Sequence, residues 1–157
     1  MASEHSYGAT KLNNVTENSA VDFLLKVDSR FIQPTKEERK ELLIRFGLPN
    51  KYARSFDILF LSTTSDANIL NIPLEEITLV ELKTTQKRLV DNPKGFFFGA
   101  TENEFNLAEK LGDQYKFCFI SLHPESKSYA LLTLDEVNQK IRTKRCCQRR
   151  NTPSQRI

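Results

Sequence analysis

The chain has 157 residues, of which 39% are hydrophobic and 27% charged, with a formal net charge of +3. This is enough length for one domain with a true core, and the balance excludes a disordered chain. No apolar run is long enough to span a bilayer, and the polar stretch from Met1 to Lys11 lacks the apolar centre of a secretory leader, so a cytoplasmic protein without a membrane partner is expected.

Residues 1–15 read as a flexible arm. Thr16 then reads as an N-cap with Glu17 in the first turn, where the helix dipole favours an acid. Ala20, Phe23, Leu24 and Val27 follow at helical spacing. Pro34-Thr35 opens a second helix, with Thr35 and Glu38 as a capping box and Leu42, Leu43 and Phe46 as its apolar stripe; Gly47 ends it and Pro49 prevents its resumption. Ser55 to Ser62 reads as a strand whose one charge is Asp57. The polar stretch Thr63 to Glu76 is too long for a tight hairpin.

Ile77 to Thr85 is the next strand, apolar until Glu81 and Lys83 interrupt it two positions apart on one face. A basic loop from Gln86 to Lys94 follows, and Phe96 to Gly99 reads as an extended piece in the core. Thr101 and Glu104 form a second capping box, opening a helix with Phe105, Ala108 and Leu111 inside and Gly112 as its stop. Tyr115 to Leu122 is almost continuously apolar, as in a strand covered on both faces, and Ser128 to Leu132 is a last strand. A final helix is expected from Asp135 to about Lys144. Helices before, between and after strands imply an α/β fold, a mixed sheet with helices packed on it. The expected organisation is a single domain over 16–145 and a basic C-terminal tail over 146–157.

The three cysteines, Cys118, Cys146 and Cys147, are an odd count without a disulfide framework. Cys118 lies in an apolar strand pattern and reads as core; Cys146-Cys147 has no partner at zinc spacing. Lys140, Arg142, Lys144, Arg145, Arg149, Arg150 and Arg156 fall in the last eighteen residues, with no acid after Glu136. Such a run attracts polyanions or is a solvated terminus.

Asp57, Glu81 and Lys83 interrupt consecutive apolar strands. If those strands are neighbours, two carboxylates meet at one sheet edge and form a hard-oxygen site suited to Mg²⁺, with Mn²⁺ as a substitute. A lysine two residues beyond the second acid can orient or deprotonate a water. Together these are equipment for attack on a phosphodiester. Acyl transfer is not indicated, since His5 and His123 sit in an arm and a turn, and no Gly-rich loop ending in Lys-Ser/Thr is present.

An acid on one strand followed by Glu-x-Lys on the next resembles the PD-(D/E)xK nuclease superfamily. Val80 to Thr85, then Phe96 to Glu104 with Ala108, then Tyr115-Lys116-Phe117 are similar to the domain family named for the C-terminus of the plant NO VEIN protein, whose core Mrr-like restriction domains share. The resemblance covers roughly residues 54–122. It implies a restriction-endonuclease-like core of order αβββαβ and a Mg²⁺-dependent endodeoxyribonuclease of restriction, defence or repair type. By that resemblance Asp57 and Glu81 bind metal and Lys83 is the catalytic lysine. An acid on the first helices joins them, Glu17 or else Glu41. Thr84 and Thr85 support the backbone or touch phosphate. Asn103 and Glu104 match the family's helix start, although the Thr-x-x-Glu spacing already explains Glu104 as a cap. Phe56 stands where the superfamily pattern has proline.

DNA is the expected partner, with Lys87, Arg88 and Lys94 of the loop and Arg145, Arg149 and Arg150 of the tail on its phosphates. A double-strand cut needs two such sites, so a homodimer is expected. With no helix-turn-helix or zinc module in the pattern, base reading falls to loops or to a separate specificity subunit. The alternatives are a nucleic-acid-binding module without catalysis and an interaction domain in which Glu81 and Lys83 merely pair.

Overall fold

A computed structural model describes residues 4–141, 143–147 and 152–157. Helix α1 spans Glu4–Val27, strand β1 Phe31–Ile32, helix α2 Lys36–Arg45, strand β2 Ile58–Leu61 and strand β3 Ile77–Thr85. Strand β4 (Phe97–Gly99), helix α3 (Glu102–Leu111), strands β5 (Tyr115–Ser121) and β6 (Ser128–Leu132), helix α4 (Leu134–Lys140) and strands β7 (Thr143–Cys147) and β8 (Thr152–Arg156) complete the chain. The main sheet is mixed, as expected, in the order β1-β2-β3-β5-β6. Its first three strands form an antiparallel meander, β5 lies parallel to β3, and β6 is antiparallel to β5. No helix among the described residues is long and apolar enough to cross a membrane.

Side-chain alternation divides the sheet's two faces. Val80 and Leu82 of β3, with Ile58, Cys118 and Ile120, pack against Ala20, Val21 and Leu24 of α1. Leu79, with Leu59, Tyr115, Phe117 and Phe119, packs against Leu42 and Leu43 of α2, Leu107 and Ala108 of α3 and Val137 of α4. Period-two alternation carries Glu81 and Lys83 to the face of Leu79, under α3. Phe119 anchors that side, with the rings of Phe96 and Phe98 at 5.0 and 4.9 Å.

The helix ends follow local chemistry. Thr35 accepts from the Glu38 amide while the Glu38 carboxylate accepts from the Thr35 amide, and the same reciprocal pair forms at Thr101 and Glu104. At the other end of α2, Gly47 adopts φ +71°. Its amide donates to the Ile44 carbonyl and the Leu48 amide to the Leu43 carbonyl, the doubled C-terminal closure that needs a left-handed residue.

Several expectations are corrected. Residues 4–15, read as a loose arm, are the first half of α1, so Thr16 is mid-helix rather than its N-cap. The stretch has no proline and carries Glu4, Ala9, Lys11 and Leu12, good helix formers that outweigh one Gly8 and a capping preference worth about 1 kcal/mol. The last helix stops at Lys140 rather than near Lys144, and it has a third capping box, Thr133 with Glu136.

The basic tail is not a free terminus either. Strand β7 crosses the 145/146 boundary, and β8 lies between β4 and β7 in a second, three-stranded antiparallel sheet. The Phe96 to Gly99 segment thus pairs outside the main sheet, where its open edge takes β8 as partner. Pro153, which has no amide to donate, opposes Cys146 of β7 but lies beyond the reach of β4, which pairs only with Ser154, Gln155 and Arg156. Ile157 is buried against the core, its amide donating to Phe96 O and its carbonyl accepting from the Gly95 amide.

Candidate active site

The long connection after β2 does not prevent the pairing that the charge pattern needs. Strands β2 and β3 are antiparallel neighbours with Ile58 opposite Val80, so Asp57 lies next to Glu81 at the same end. The Asp57 amide donates to Val80 O at 2.8 Å, and Asp57 Oδ2 accepts from the Leu82 amide at 2.8 Å. The carboxyl is therefore aimed by the backbone of the strand that carries Glu81. Arg39 of α2 supports it from behind: its guanidinium donates to the carbonyls of Ala53, Phe56 and Asp57 and stacks 4.9 Å from the Phe56 ring.

Glu17 approaches from α1. A cavity of about 210 Å³ is lined by Thr16, Glu17, Asp57, Glu81, Leu82 and Thr84. Glu41, the alternative to Glu17, is exposed on α2 and does not line it. Two larger clefts, of about 350 and 540 Å³, meet at Asp91 and Asn92 and contain neither Asp57 nor Glu81.

Lys83 lies beside the cavity rather than in its wall. Its ammonium is 3.5 Å from Glu81 Oε1 and 2.6 Å from Glu104 Oε1. The pair with Glu104 is buried, the two side chains being 13% and 5% exposed. Glu104 also closes its capping box, its other oxygen accepting from the Thr101 amide. Glu81 Oε2 is buried and accepts no hydrogen bond from the described residues.

The titration pattern follows from this crowding. Glu81 is held well above the ordinary carboxyl value, chiefly by burial, then by the Asp57 charge and the nearby Glu104 carboxyl; Lys83 opposes the rise. Asp57 is raised by burial, against the Leu82 amide, Glu81, Lys83 and Arg39. Glu17 is raised by burial of its carboxyl and by Asp57, with Arg39 opposing. Burial acts to raise Glu104 too, but contacts with Glu81, Lys83 and Thr101 outweigh it and hold the group below its usual value. The ionised pair is thus Lys83 with Glu104, while Glu81 keeps its proton to higher pH than a free carboxyl.

Among the described residues, no three His, Cys, Asp or Glu side chains converge as a ready-made metal cluster. The donor chemistry nonetheless suits Mg²⁺, which takes one or two carboxylates and keeps several waters. Asp57 and Glu81 supply the carboxylates, the unpartnered Glu81 Oε2 is the oxygen that an ion would satisfy, and Glu17 is within reach of Asp57 across the cavity.

Of the other expected contacts, Thr84 lines the cavity, whereas the Thr85 hydroxyl accepts from the Lys87 amide at 3.2 Å. Lys87, Arg88 and Lys94 are exposed, and Arg88 pairs with Glu125 at 3.3 Å. Asn103 is half-buried in the first turn of α3 and outside the cavity lining. Arg145 lies on β7, and Arg149 and Arg150 lie outside the described residues.

Two residues of the site were not read from the sequence. Glu104 was absorbed by its role as a cap, which uses only one of its oxygens. Arg39 is hidden in the charged run Lys36 to Glu41, yet it stands three and four positions before the buried Leu42 and Leu43, on the inward face of the helix. Arg39→Met is expected to leave three carbonyls without their donor and to cost about 1.5–3 kcal/mol. A lower urea midpoint at unchanged m-value is the expected reading, and an unmoved midpoint would make the Arg39 contacts incidental.

Comparison of the chain with protein-family models, with curated proteins and with solved structures finds no match.

Proposed function

We propose that the chain is a metal-dependent DNA endonuclease with a restriction-endonuclease-like core. The observation that carries this reading is one small cavity whose wall includes Glu17, Asp57 and Glu81, with the Lys83 ammonium at its flank. With α2 set between β1 and β2 and β4 between β3 and α3, the elements α1, β1, β2, β3, α3 and β5 follow the αβββαβ sequence implied by the resemblance, and the meander of the first three strands with β5 parallel to β3 supports the reading. So does the placing of Asp57 against the backbone of β3 next to Glu81.

In this reading Asp57 and Glu81 hold Mg²⁺ or Mn²⁺ and Glu17 completes the acidic wall. The ion, when bound, makes a water nucleophilic at neutral pH and offsets charge on the phosphoryl oxygens. The Lys83 ammonium orients the attacking water by donating a hydrogen bond to it, the water's proton passing to solvent, and the Thr84 hydroxyl donates to a phosphate oxygen at the cavity wall. The cation-bearing loop after β3 places Lys87 and Lys94 where the strand leads. Cutting both strands calls for a homodimer, and sequence choice for a further subunit or loop. A cytoplasmic setting follows the same reading.

A second reading is favoured by one contact. The 2.6 Å pair of Lys83 with Glu104 is what an interaction domain with a purely structural ion pair would have. Incubating supercoiled plasmid with the protein and Mg²⁺ or Mn²⁺ tests the difference. Nicking or linearisation that Asp57→Ala abolishes is expected; intact plasmid together with no Mn²⁺ bound in a calorimetric titration would leave the interaction domain standing.

The same reading predicts salt dependence. Each phosphate neutralised contributes roughly 0.9 to the slope of log K against log salt. Lys87→Ala and Lys94→Ala are each expected to weaken DNA binding and flatten the slope by about that amount. Unchanged slopes in fluorescence anisotropy would place DNA away from this loop. Removing residues 146–157 is not a clean test of the basic run, because it also removes the strand that pairs with β4.

A further inference from the structure

We propose that Glu104 is a positioning residue of the nuclease, one that draws the Lys83 ammonium away from the carboxylates and so keeps them open to the metal ion. The inference rests on the nuclease reading above and adds a residue and a task to it. Lys83 has two acids within reach, Glu81 Oε1 at 3.5 Å and Glu104 Oε1 at 2.6 Å. A lysine on a flexible four-carbon stem settles on the nearest anion. Were Glu104 absent, that anion would be Glu81 or its neighbour Asp57, and the ammonium would compete with a cation for the same oxygens.

The support for Glu104 is rigid. Its second oxygen accepts from the Thr101 amide, and its helix is seated by the buried Leu107 and Ala108. The capping role alone does not call for this arrangement. Glu38 and Glu136 cap α2 and α4 in the same way from the surface, whereas Glu104 is 4% exposed and reaches across to a strand. Burying an acid beside Glu81 costs free energy unless a cation is matched to it, and Lys83 is that cation.

The test is a double-mutant cycle of Glu104→Gln and Lys83→Met, read on calorimetric Mn²⁺ affinity and on single-turnover plasmid cleavage. Glutamine at the third helical position preserves the capping box, so the fold is retained. Glu104→Gln alone is expected to weaken Mn²⁺ binding by about tenfold and cleavage by about 10- to 100-fold, the range for losing an outer partner of a metal site, with the KM for plasmid unchanged. In the Lys83→Met background the same change is expected to leave Mn²⁺ affinity where it was, because no ammonium remains to fall onto Glu81. Should Glu104→Gln melt below the assay temperature, Glu104→Asp keeps the negative charge but draws the carboxylate back from Lys83 by one methylene, and a smaller loss of Mn²⁺ affinity in the same direction is expected. Equal losses in both backgrounds would overturn the proposal and leave the nuclease reading intact. A wild-type protein that binds no Mn²⁺ would overturn both.

Discussion

Glu81→Gln is expected to make the protein more stable while removing both Mn²⁺ binding and cleavage. Glu81 is nine-tenths buried, faces Asp57, and has one oxygen without a partner. In the absence of an ion the ionised form is therefore disfavoured, and its pKa lies well above the ordinary 4.5. The sign follows from proton linkage. Between the unfolded and the folded pKa the native state binds more protons than the unfolded one, so this group's contribution to stability is complete below about 4.5 and is lost as pH rises through the folded value.

The wild-type slope can reach about 1.4 kcal/mol per pH unit across that window. Glutamine carries no such slope, and its amide can donate to Asp57 where a carboxylate cannot. The variant should thus gain on the wild type from pH 5 upward, by about 2–4 °C in Tm for each kcal/mol. Cleavage should fall by at least about 100-fold, the upper end of what losing a mere outer partner of a metal costs. Melting curves from pH 4 to 8, with and without Mn²⁺, read all of this. A variant that melts lower and still binds Mn²⁺ would make Glu81 a structural residue.

Lys83→Ala acts in the opposite direction on stability. It leaves the ionised Glu104 buried without its cation, with the Thr101 amide and the Glu81 carboxyl as its remaining partners, and breaking a buried pair from one side costs about 3–5 kcal/mol. Both readings of the protein share this loss, because the 2.6 Å partner is Glu104 rather than Glu81. Melting alone therefore does not separate them, and metal does. Mn²⁺ binding should persist in Lys83→Ala or tighten, since a competing positive charge beside the acids is gone. Cleavage should drop by at least about 10²-fold, as for the loss of another positioned hydrogen-bond donor. Loss of Mn²⁺ binding in a Lys83→Ala protein that is still folded would contradict the assignment of Lys83 to water rather than to the ion site.

What could be read in advance divides by the range of the interaction. Capping boxes at Thr35 and Thr101 are contacts over three residues, and their chemistry is written in the chain. The apolar runs of β3 and β5 announce strands covered on both faces, and Asp57, Glu81 and Lys83 are conspicuous because they interrupt such runs. Strand β1 has two residues, too few for any period to show. Strand β8 is Thr-Pro-Ser-Gln-Arg, with no apolar alternation, and becomes a strand through its pairing with β7 on one side and β4 on the other. Glu104 was half legible: its local bond to Thr101 could be inferred, but its bond to Lys83 spans 21 positions and depends on how α3 crosses the sheet. Arg39 reaches carbonyls 14 to 18 residues away, and in a run of charges nothing sets it apart except its phase with Leu42 and Leu43.

The parallel pairing of β3 with β5 has a consequence for when the protein becomes competent. Asp57, Glu81 and Lys83 lie on a meander of neighbouring strands and can assemble early, but α3 enters only when residues 86–114 have looped back to bring Tyr115 beside Leu79. Non-local closure of this kind is slow, because chain entropy is lost before contacts reward it. On a ribosome, Lys83 leaves the exit tunnel before its counter-ion Glu104 does. A nascent chain that ends near residue 100 therefore has Lys83 without its 2.6 Å partner, and the reactive centre matures with the crossover rather than with the strands that bear it.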